Sequence, residues 1–483
     1  MTRRATALLL ALGIICMTAL AVASQLAPIR QLVHALEERS PQEWLRHLER
    51  RLSGHPTLEA LGVPLIRMAR PHWERPIPEL SFPTLGKGQQ LQAPHLERQA
   101  PLAVLQVNDA DALRQALLDA REGSRIELAP GHYHFSSTLR LGHAGSPALP
   151  ITVWSAVPGA AVMHFSQDEG VLVDQPFWQF ENLRIQGSCL HDADCDHALH
   201  VVGQAHHFLL SNSCIEGFNA HVKINGLNGV FPDDGRISFT TLQNSGGRDT
   251  AKPVAAIDLV GARRWRIEDN VISNLVKLGG DQVSYAAFMK GGGSEGRFER
   301  NLVLCSTAAI SQPGMRVGLS FGGGLTGSSY CRGNSCTASE YSSGVMLNNI
   351  VAHCNDYGID INHATQAWIG FNTLINTGGI DTRGAPSDAT LYANLLDGSI
   401  KARESSRMDA RDNQQVRLTR LFKAPDRLDL ARDAEPQMVN TPTMVRDDFC
   451  RQVRAARSSV GALDLLPQCS APPQAQSATQ STK

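Results

Sequence analysis

Lys290 stands at a position where a chemically active side chain is expected. It ends the apolar run Tyr285–Met289 and is followed directly by Gly291–Gly293. Glycines have no side chain and so let a ligand approach the backbone closely. A lysine can act as a general base when nearby positive charge or burial pulls its pKa well below the usual value of about 10.4. We therefore predict that Lys290 is functional, with a solvated surface lysine as the alternative.

Six further polar residues lie in or beside β-rich runs and could face the same groove as Lys290. In runs such as 221–225 and 360–362, alternate residues share one face of a strand. A basic side chain there could hold an acidic group of a ligand, although each residue taken alone also fits a solvated surface position. The second catalytic candidate is Arg316, and the substrate-binding candidates are Lys223, His221, Asp360, His363 and Arg383.

The elements that must position these residues recur along the chain from about residue 150. Short β-rich runs end in asparagine, and from Asn270 onwards each asparagine is followed by an apolar or β-branched pair. A period of roughly 20–30 residues is typical of one coil of a β-solenoid. Asparagine suits the corner between two strands because it tolerates a left-handed backbone. The aligned asparagines are Asn212, Asn244, Asn270, Asn301, Asn349, Asn372 and Asn394, and the last five are 31, 48, 23 and 22 residues apart.

The interval of 48 residues predicts a coil that carries a long excursion between Ile310 and Val345. Scattered asparagines in the loops of a β-sandwich are the alternative. That alternative does not explain why an apolar pair follows the asparagine each time. The repeat therefore favours a solenoid.

An amphipathic helix is predicted at residues 109–121, ahead of the repeats, and Arg125–Ala129 alternates like a strand. This opening resembles that of pectin-lyase-like β-helices, in which a helix caps the first coil. The resemblance covers roughly residues 105–415. It implies an all-β fold, a right-handed parallel β-helix with an N-terminal helical cap. A cap is needed physically because an open coil exposes core and strand edges.

A second resemblance concerns Tyr285–Asn301 together with Gly318–Gly324, which look like the active-site region of the chondroitinase B and alginate lyase group. It implies that Lys290 is the base that removes the proton next to a uronate carboxylate. Where that group has an arginine followed by a histidine, this chain has two glycines, 322 and 323. The nearest basic residue is Arg316.

Calcium is a cofactor that this resemblance allows. The group's calcium carboxylates lie just before the lysine, and here only Asp281 is near, while Val283 and Tyr285 stand where acids would be expected. No metal-ligating residues are predicted, and no cofactor is assigned.

The function implied is that of a polysaccharide lyase, or a related carbohydrate-active enzyme, that cleaves an acidic glycan by β-elimination. Arg316 or Lys223 would hold the substrate carboxylate. A non-catalytic β-helix that binds or organises polysaccharide at the cell envelope is the alternative. Hydrolysis by paired acids ranks last, because the only Asp-Asp pair in such a setting, Asp233-Asp234, lies in a turn rich in proline and glycine.

The N-terminus reads as a targeting segment, with Arg3 and Arg4 before an apolar run and Ala21-Val22-Ala23 as a cleavage signature. An uncleaved membrane anchor is the alternative, and both place the protein in a secreted or periplasmic location. The predicted divisions are a signal peptide or anchor (1–24), a short helical segment and Pro-rich linker (25–100), the β-helix (101–420), a C-terminal cap region (421–469) and a disordered tail (470–483).

Composition limits the partners. Lys and Arg number 45 against 46 Asp and Glu, so the basic excess of a nucleic-acid-binding protein is missing. We expect an acidic polysaccharide as the partner, no nucleic acid, membrane contact only through the N-terminus, and a monomer.

The ten cysteines fit an oxidising compartment. We predict disulfides for Cys189/Cys195 and Cys331/Cys336, with zinc binding as the weaker alternative, and Cys450 and Cys469 could staple the C-terminal part. Without Cys16 nine cysteines remain, so at least one is not paired within the chain.

Overall fold

The computed structural model describes residues 100–464 except 308–313 and 325, together with Cys469 and a few residues between 57 and 68. The chain divides into two units, Met1–Arg75 and Pro76–Lys483. The described residues of the first unit are helical. The predicted signal segment, the helical segment up to residue 56, the Pro-rich linker and the C-terminal tail lie outside the described residues. None of the described helices is long and apolar enough to span a membrane.

The second unit is a parallel β-helix whose coils each contribute a strand to three long parallel sheets. Sheet A has the strands Ala103–Val107, Ser124–Leu128, Ile151–Ser155, Trp178–Glu181, Leu209–Ser211, Arg236–Ser238, Arg266–Glu268, Arg297–Glu299, Val345–Leu347, Ala367–Gly370, Asp388–Tyr392 and Arg407–Arg411. Sheet B has the strands Gly131–Phe135, Ala161–Phe165, Arg184–Gly187, Cys214–Glu216, Thr241–Gln243, Val271–Ser273, Leu302–Leu304, Ile350–Ala352, Thr373–Ile375, Leu395–Leu396 and Gln414–Gln415.

Sheet C, which carries the candidate site, has ten strands. They are Leu139–Arg140, Glu169–Val173, His197–Val202, Ala220–Asn225, Val254–Val260, Val283–Lys290, Met315–Gly322, Ile359–Asn362, Gly379–Arg383 and Ser399–Ala402. The fold prediction of an all-β, right-handed parallel β-helix is confirmed.

Along each strand, alternate side chains point inward and fill the core of the solenoid. In Ile359–Asn362 the two isoleucines, Ile359 and Ile361, belong to a continuous apolar core, whereas Asp360 between them faces outward. The same pattern repeats from coil to coil, so one column of apolar residues packs on the next. Burial of this apolar surface is the main force that holds the coils together.

An asparagine ladder runs along the corner between sheets A and B, as the repeat predicted. The Nδ2 of Asn349 donates to the Oδ1 of Asn372 at 2.9 Å, and the Nδ2 of Asn301 donates to the Oδ1 of Asn349 at 3.0 Å. Each side chain therefore satisfies the backbone and the asparagine of a neighbouring coil. The members are Asn270, Asn301, Asn349, Asn372, Asn394 and Asn413.

Two asparagines aligned with this ladder, Asn212 and Asn244, do not belong to it, and the alignment was wrong there. Asn212 lies in the column just before the ladder, where it bonds Asn182, and Asn244 lies near the next corner, between sheets B and C. Thr240 takes the ladder position instead, and its N–H donates to the Oδ1 of Asn270 at 2.9 Å. The left-handed backbone also belongs to the preceding column, with φ of 46° at Asn212 and 59° at Asp269.

The helix α1, Ala110–Asp119, covers the first coil, as predicted. Asp109 caps its start by accepting a hydrogen bond from the N–H of Ala112 at 2.8 Å. Leu113 and Leu117 turn towards the solenoid and are almost completely buried. The apolar face of the helix thus closes an end that would otherwise expose core.

The predicted excursion begins later than expected. Met315–Gly322 forms a regular strand of sheet C, so the chain leaves the coil only after Gly322. It passes through the 3₁₀ turns Ser328–Tyr330 and Arg332–Asn334 and returns at Tyr341–Ser342. That strand joins Gly293–Ser294 and Ala364–Thr365 in a small parallel sheet at the corner between sheets C and A.

The three predicted disulfides, Cys189–Cys195, Cys331–Cys336 and Cys450–Cys469, are present. A fourth, Cys305–Cys354, joins two successive coils just after their sheet B strands. Cys214 is free and buried, and burial raises the pKa of its thiol to about 12. Four disulfides fit an oxidising compartment.

The chain after the last coil folds back along the flank of the solenoid. A second apolar cluster joins residues such as Phe371 and Leu395 of the coils to Phe422 and Val439 of this segment. Its elements are the 3₁₀ turns Leu418–Arg420 and Pro425–Arg427, the antiparallel strands Phe422–Ala424 and Asp429–Arg432, and the antiparallel strands Met438–Asn440 and Arg457–Ser459. A remaining 3₁₀ turn, Asp192–Asp194, lies within the first disulfide loop.

Candidate functional site on sheet C

The outer face of sheet C carries a continuous row of side chains, one from each of eight successive strands. In each strand the residues on either side of the row point inward, towards the core, so the side chains of the row point outward. In order of register the row is His200, Lys223, Asp258, Phe288, Ser320, Asp360, Asp381 and Lys401. The parallel register therefore places groups that are far apart in sequence on one surface.

Three aspartates of this row are buried beneath basic side chains. The pairs are Lys223 with Asp258 at 2.7 Å, Arg383 with Asp360 at 2.9 Å, and Arg403 with Asp381 at 2.6 Å. The aspartates are 0–4% exposed, while their basic partners retain 21–39% of their side-chain exposure. The surface that a ligand would meet is therefore basic, although the acids beneath it balance the charge.

In the pair of Arg383 and Asp360 the carboxylate is completely buried. The Nε and Nη2 of Arg383 donate to the two carboxylate oxygens of Asp360 at 3.0 and 2.9 Å. Burial raises the pKa of Asp360, and the hydrogen bonds from Arg383 oppose that rise. For Arg383, burial alone would lower the pKa, but the bonds to Asp360 outweigh it and the pKa is raised. The guanidinium is thus fixed in place in its charged form.

Lys290 ends its strand beside Phe288. Its Nζ lies 4.9 Å from the centre of the Phe288 ring, in the position of a cation–π contact. The side chain is partly exposed. Among the described residues, no carboxylate lies within ion-pair distance of this ammonium, in contrast to the three basic residues described above.

Tyr285 links Lys290's neighbourhood to Arg383. Its ring meets the Phe288 ring edge-to-face with centroids 5.6 Å apart, and its hydroxyl lies near the Arg383 guanidinium, whose charge lowers the pKa of the hydroxyl. Burial, followed by the charge of Asp360, raises the pKa of this hydroxyl to about 12. A chain of contacts therefore runs from Lys290 through Phe288 and Tyr285 to Arg383 and Asp360.

Lys223 and His221 lie on one strand but have different surroundings. Lys223 is on the outer row, two strands before Phe288, and is engaged by Asp258. His221 is completely buried, with its Nε2 3.2 Å from the Oδ1 of Asn244. Burial lowers the pKa of His221 to about 4. A buried, neutral imidazole does not reach a ligand on the outer face, so His221 is left out of the candidate site.

Arg316 and His363 are likewise not part of the contact chain. Arg316 is 1% exposed at the start of its strand, opposite Ser284, and its backbone N–H donates to the Oδ1 of Asn355 at 2.8 Å. His363 lies where sheet C turns towards sheet A, with Nδ1 2.7 Å from the Oδ1 of Asn362. Of the seven predicted residues, Lys290, Asp360 and Arg383 are brought together, and Lys223 lies further along the same face.

The glycines after Lys290 have a structural explanation that differs from the expected open approach for a ligand. Gly291 has φ of 77°, and a Cβ there would come within 2.5 Å of Val260 in the preceding coil. Its N–H donates to Glu340 of the excursion, and its carbonyl accepts from the N–H of Arg332. These glycines therefore allow the excursion to pack against the corner beside Lys290.

The carboxylates of this face do not fit a calcium site. Calcium takes six to eight oxygen ligands, commonly from several carboxylates that share the ion. Here Asp258 and Asp360 are each engaged by a basic side chain, and Asp281, the residue expected near a calcium, is paired with Lys277 at 2.7 Å.

Sequence reasoning missed Tyr285, Phe288 and Asp381. Phe288 precedes Lys290 by two residues, and Asp381 precedes Arg383 by two, so alternation along a strand could have identified both as outward-facing. Tyr285 was considered only as a position where an acid is missing. Its contact with Arg383 spans three strands and depends on how the coils stack.

No protein-family model and no curated protein sequence matches the chain. Solved structures do match. Pectate lyase Pel9A is 12% identical, with a TM-score of 0.50 over 78% of this chain and 98% of that one. An alginate lyase from Paenibacillus sp. str. FPU-7 is 15% identical, with a TM-score of 0.40 over 65% and 99%. A GH136 lacto-N-biosidase from Eubacterium ramulus is 12% identical, with a TM-score of 0.42 over 65% and 68%.

At such low identity a likeness bears on architecture alone, and the pectate lyase aligns over 78% of this chain and 98% of its own length. The three parallel sheets and this likeness lead to one conclusion: the chain has the parallel β-helix fold.

Proposed function

We propose that the protein binds an acidic polysaccharide on the outer face of sheet C and cleaves it by β-elimination, with Lys290 as the base. The observation that carries the proposal is the Lys290 ammonium, which rests on the Phe288 ring with no carboxylate partner among the described residues. The Lys290 side chain can therefore meet a substrate without first breaking an ion pair, whereas the Nζ of Lys223 is bound to Asp258 at 2.7 Å.

Arg383 replaces Arg316 as the residue that would hold the substrate carboxylate. Arg316 is buried, whereas the Arg383 side chain is 27% exposed and already oriented by Asp360. An arginine held in this way can neutralise the uronate carboxylate and so acidify the hydrogen on the adjacent carbon. Lys223 would bind a carboxylate further along the chain of sugars.

The proposed elimination uses three side chains. The uncharged amine form of Lys290 takes the proton from the carbon next to the carboxylate and becomes an ammonium, and the electron pair of that C–H bond forms a carbon–carbon double bond. The bond from the adjacent carbon to the glycosidic oxygen breaks, and this oxygen takes a proton from the hydroxyl of Tyr285. Because burial raises the pKa of Tyr285 to about 12, the hydroxyl keeps its proton at neutral pH and can donate it.

A panel of uronate polysaccharides tests the proposal, with the ultraviolet absorbance of unsaturated ends as the measurement. We expect product from at least one substrate, and a loss of kcat of about 100- to 10,000-fold in Lys290→Ala. Lys423, which is exposed on the C-terminal segment, is the matched control, and Lys423→Ala should leave kcat unchanged. Absence of product from every uronate, or full activity of Lys290→Ala, would contradict the lyase proposal.

A second candidate function is non-catalytic binding of polysaccharide. It is favoured by the pairing of the basic residues with buried aspartates, which gives a fixed surface. Binding of an uronate by the intact protein without any unsaturated product would support this candidate over the first.

A further inference from the structure

A cleft of about 600 Å³ lies on the outer side of sheet A, beside the corner where the chain passes from sheet C to sheet A. It is separate from the candidate site on the outer face of sheet C. Two parallel columns of residues line it. The strand column is Arg236, Arg266, Arg297 and Val345, which are in direct register on four successive strands. The corner column is His207, Asp234, Arg264, Glu295 and Ser343. Successive strands are about 4.8 Å apart, so the cleft extends roughly 20 Å along the solenoid.

The floor of the cleft contains a close packing contact. Gly235 lies between the two columns, and a Cβ there would come within 2.3 Å of the Trp265 ring. Trp265 is completely buried, and its indole N–H donates to the carbonyl of Pro232 at 2.6 Å. Any larger residue at position 235 would push against this buried ring.

The three arginines in register form an unfavourable arrangement unless something negative lies beside them, because like charges directly opposite one another in a sheet repel. Two of them have acidic neighbours. Arg236 pairs with Glu268 at 2.7 Å, and Arg297 pairs with Glu299. Arg266 between them is exposed, and its side chain makes no ion pair or hydrogen bond with the described residues.

The nearby acids are already engaged by other arginines. Glu268 is shared with Arg300 at 2.9 Å, and Glu299 lies 3.6 Å from the same guanidinium. At the corner, Asp234 accepts two hydrogen bonds from Arg264, at 2.6 and 2.8 Å. Three of the four arginines that line the cleft thus have an acidic partner, and Arg266 is the one without an ion pair among the described residues.

We propose that this cleft is a second glycan-binding site, which takes a strand of acidic polysaccharide with a carboxylate or sulfate on Arg266. The arginine column repeats once per coil, a distance close to the length of one sugar ring in an extended chain. The chain as a whole has no basic excess, which disfavours nucleic acid as the occupant. The choice of an acidic glycan rests on the proposed function, but the cleft is separate from Lys290 and needs no turnover.

Binding is measured on the full-length Lys290→Ala protein, so that turnover cannot remove the ligand. The probes are oligomers of alginate and of polygalacturonate of defined length, and titration calorimetry measures their binding. We expect two sites per chain for an acidic oligomer, none for a neutral cello-oligosaccharide, and weaker binding as salt rises. In Arg266→Ala one of the two sites should weaken about tenfold or more.

Two further variants serve as controls for this test. Arg266→Lys retains the charge without the two-pronged geometry and should lose less than Arg266→Ala. Arg407, an exposed arginine on the last strand of sheet A, lies outside the cleft, and Arg407→Ala should leave both sites intact. With Lys290 present, Arg266→Ala should cleave short oligomers at the original rate if the lyase proposal holds.

Two results would overturn the second site: unchanged binding in Arg266→Ala, or tighter binding of single-stranded DNA than of any acidic oligomer. A protein with no turnover that still shows an Arg266-dependent site would contradict the lyase proposal while supporting the cleft. The two proposals therefore fail in distinguishable ways.

Discussion

Two of the predicted substrate-binding residues, His221 and Asp360, are completely buried, and their surroundings affect charge differently. Burial favours the uncharged form of both side chains. For Asp360 the effect of burial raises the pKa, and the hydrogen bonds that Arg383 donates to the carboxylate oppose that rise. For His221 burial is the larger effect: the hydrogen bond with Asn244 opposes it only in part, and the nearby cation Arg248 lowers the pKa of the imidazole further. Whether a polar residue of a strand lies at the surface can therefore be predicted only when its neighbours are known.

His221 should make the stability of the protein depend on pH. Its pKa is about 4 when folded against about 6.5 when unfolded, so the unfolded chain binds the proton more readily between these values. Its contribution is fully present above pH 6.5 and is lost as the pH falls towards 4. We expect the free energy of unfolding to fall by about 3 kcal/mol over this window through His221 alone. Chemical denaturation at pH 7 and pH 4.5 measures it.

The comparison is between His221→Gln and His191→Gln. The first should flatten the pH dependence of the unfolding free energy. The second changes an exposed histidine and should not. Equal slopes for the wild type and His221→Gln would show that the imidazole is not held neutral.

At the scale of elements, the asparagine ladder joins the coils at one corner. Asn349 is completely buried and uses all its bonding groups: Nδ2 donates to Asn372 and to the carbonyl of Phe298, and Oδ1 accepts from Asn301. Removing such a side chain leaves buried polar groups without partners, and each costs about 1–3 kcal/mol.

Asn349→Ala should therefore lower the free energy of unfolding by roughly 3 kcal/mol or more. Asn413, at the end of the ladder, is half-buried, so water can replace its bonds, and Asn413→Ala should cost about 1 kcal/mol. Denaturant unfolding followed by circular dichroism compares the two. Similar losses would mean that the depth of burial does not set the strength of the ladder.

The coils could be predicted from sequence because their signal is local. The corner asparagine and the apolar pair after it recur within one coil, so the repeat identifies the fold and five of the six ladder members. The alignment failed at Asn212 and Asn244, since a shift of a few residues around a corner places an asparagine in another column. The contact of Tyr285 with Arg383 was not predictable in the same way. It depends on the register of strands separated by the excursion.

At the scale of the whole molecule, the faces of the solenoid carry different features. Sheet C carries the candidate site, sheet A carries the arginine cleft, and the corner between sheets A and B is covered by the C-terminal segment. Arg451 of that segment pairs with Asp269 at 2.7 Å, and Asp447 lies 3.2 Å from Arg300. These contacts fall on the left-handed column just before the ladder. The segment thus holds several coils together from outside.

Arg454 is the centre of this attachment. It is 6% exposed, its guanidinium stacks 4.4 Å from the centre of the Phe371 ring, and it donates to the Oδ1 of Asn348 at 3.0 Å. It also donates to the carbonyls of Gly461 and Ala462. Burial lowers the pKa of Arg454 to about 10, which still leaves it charged at neutral pH.

Arg454→Ala should detach the C-terminal segment, because buried carbonyl groups lose their donor and the Phe371 ring loses its cover. We expect the free energy of unfolding to fall by about 3–5 kcal/mol and limited proteolysis to cut between residues 433 and 464. Arg420→Ala, which changes an exposed arginine at the start of the same segment, should alter neither. If Arg454→Ala remained resistant to protease, the segment would be held by its apolar cluster rather than by this arginine.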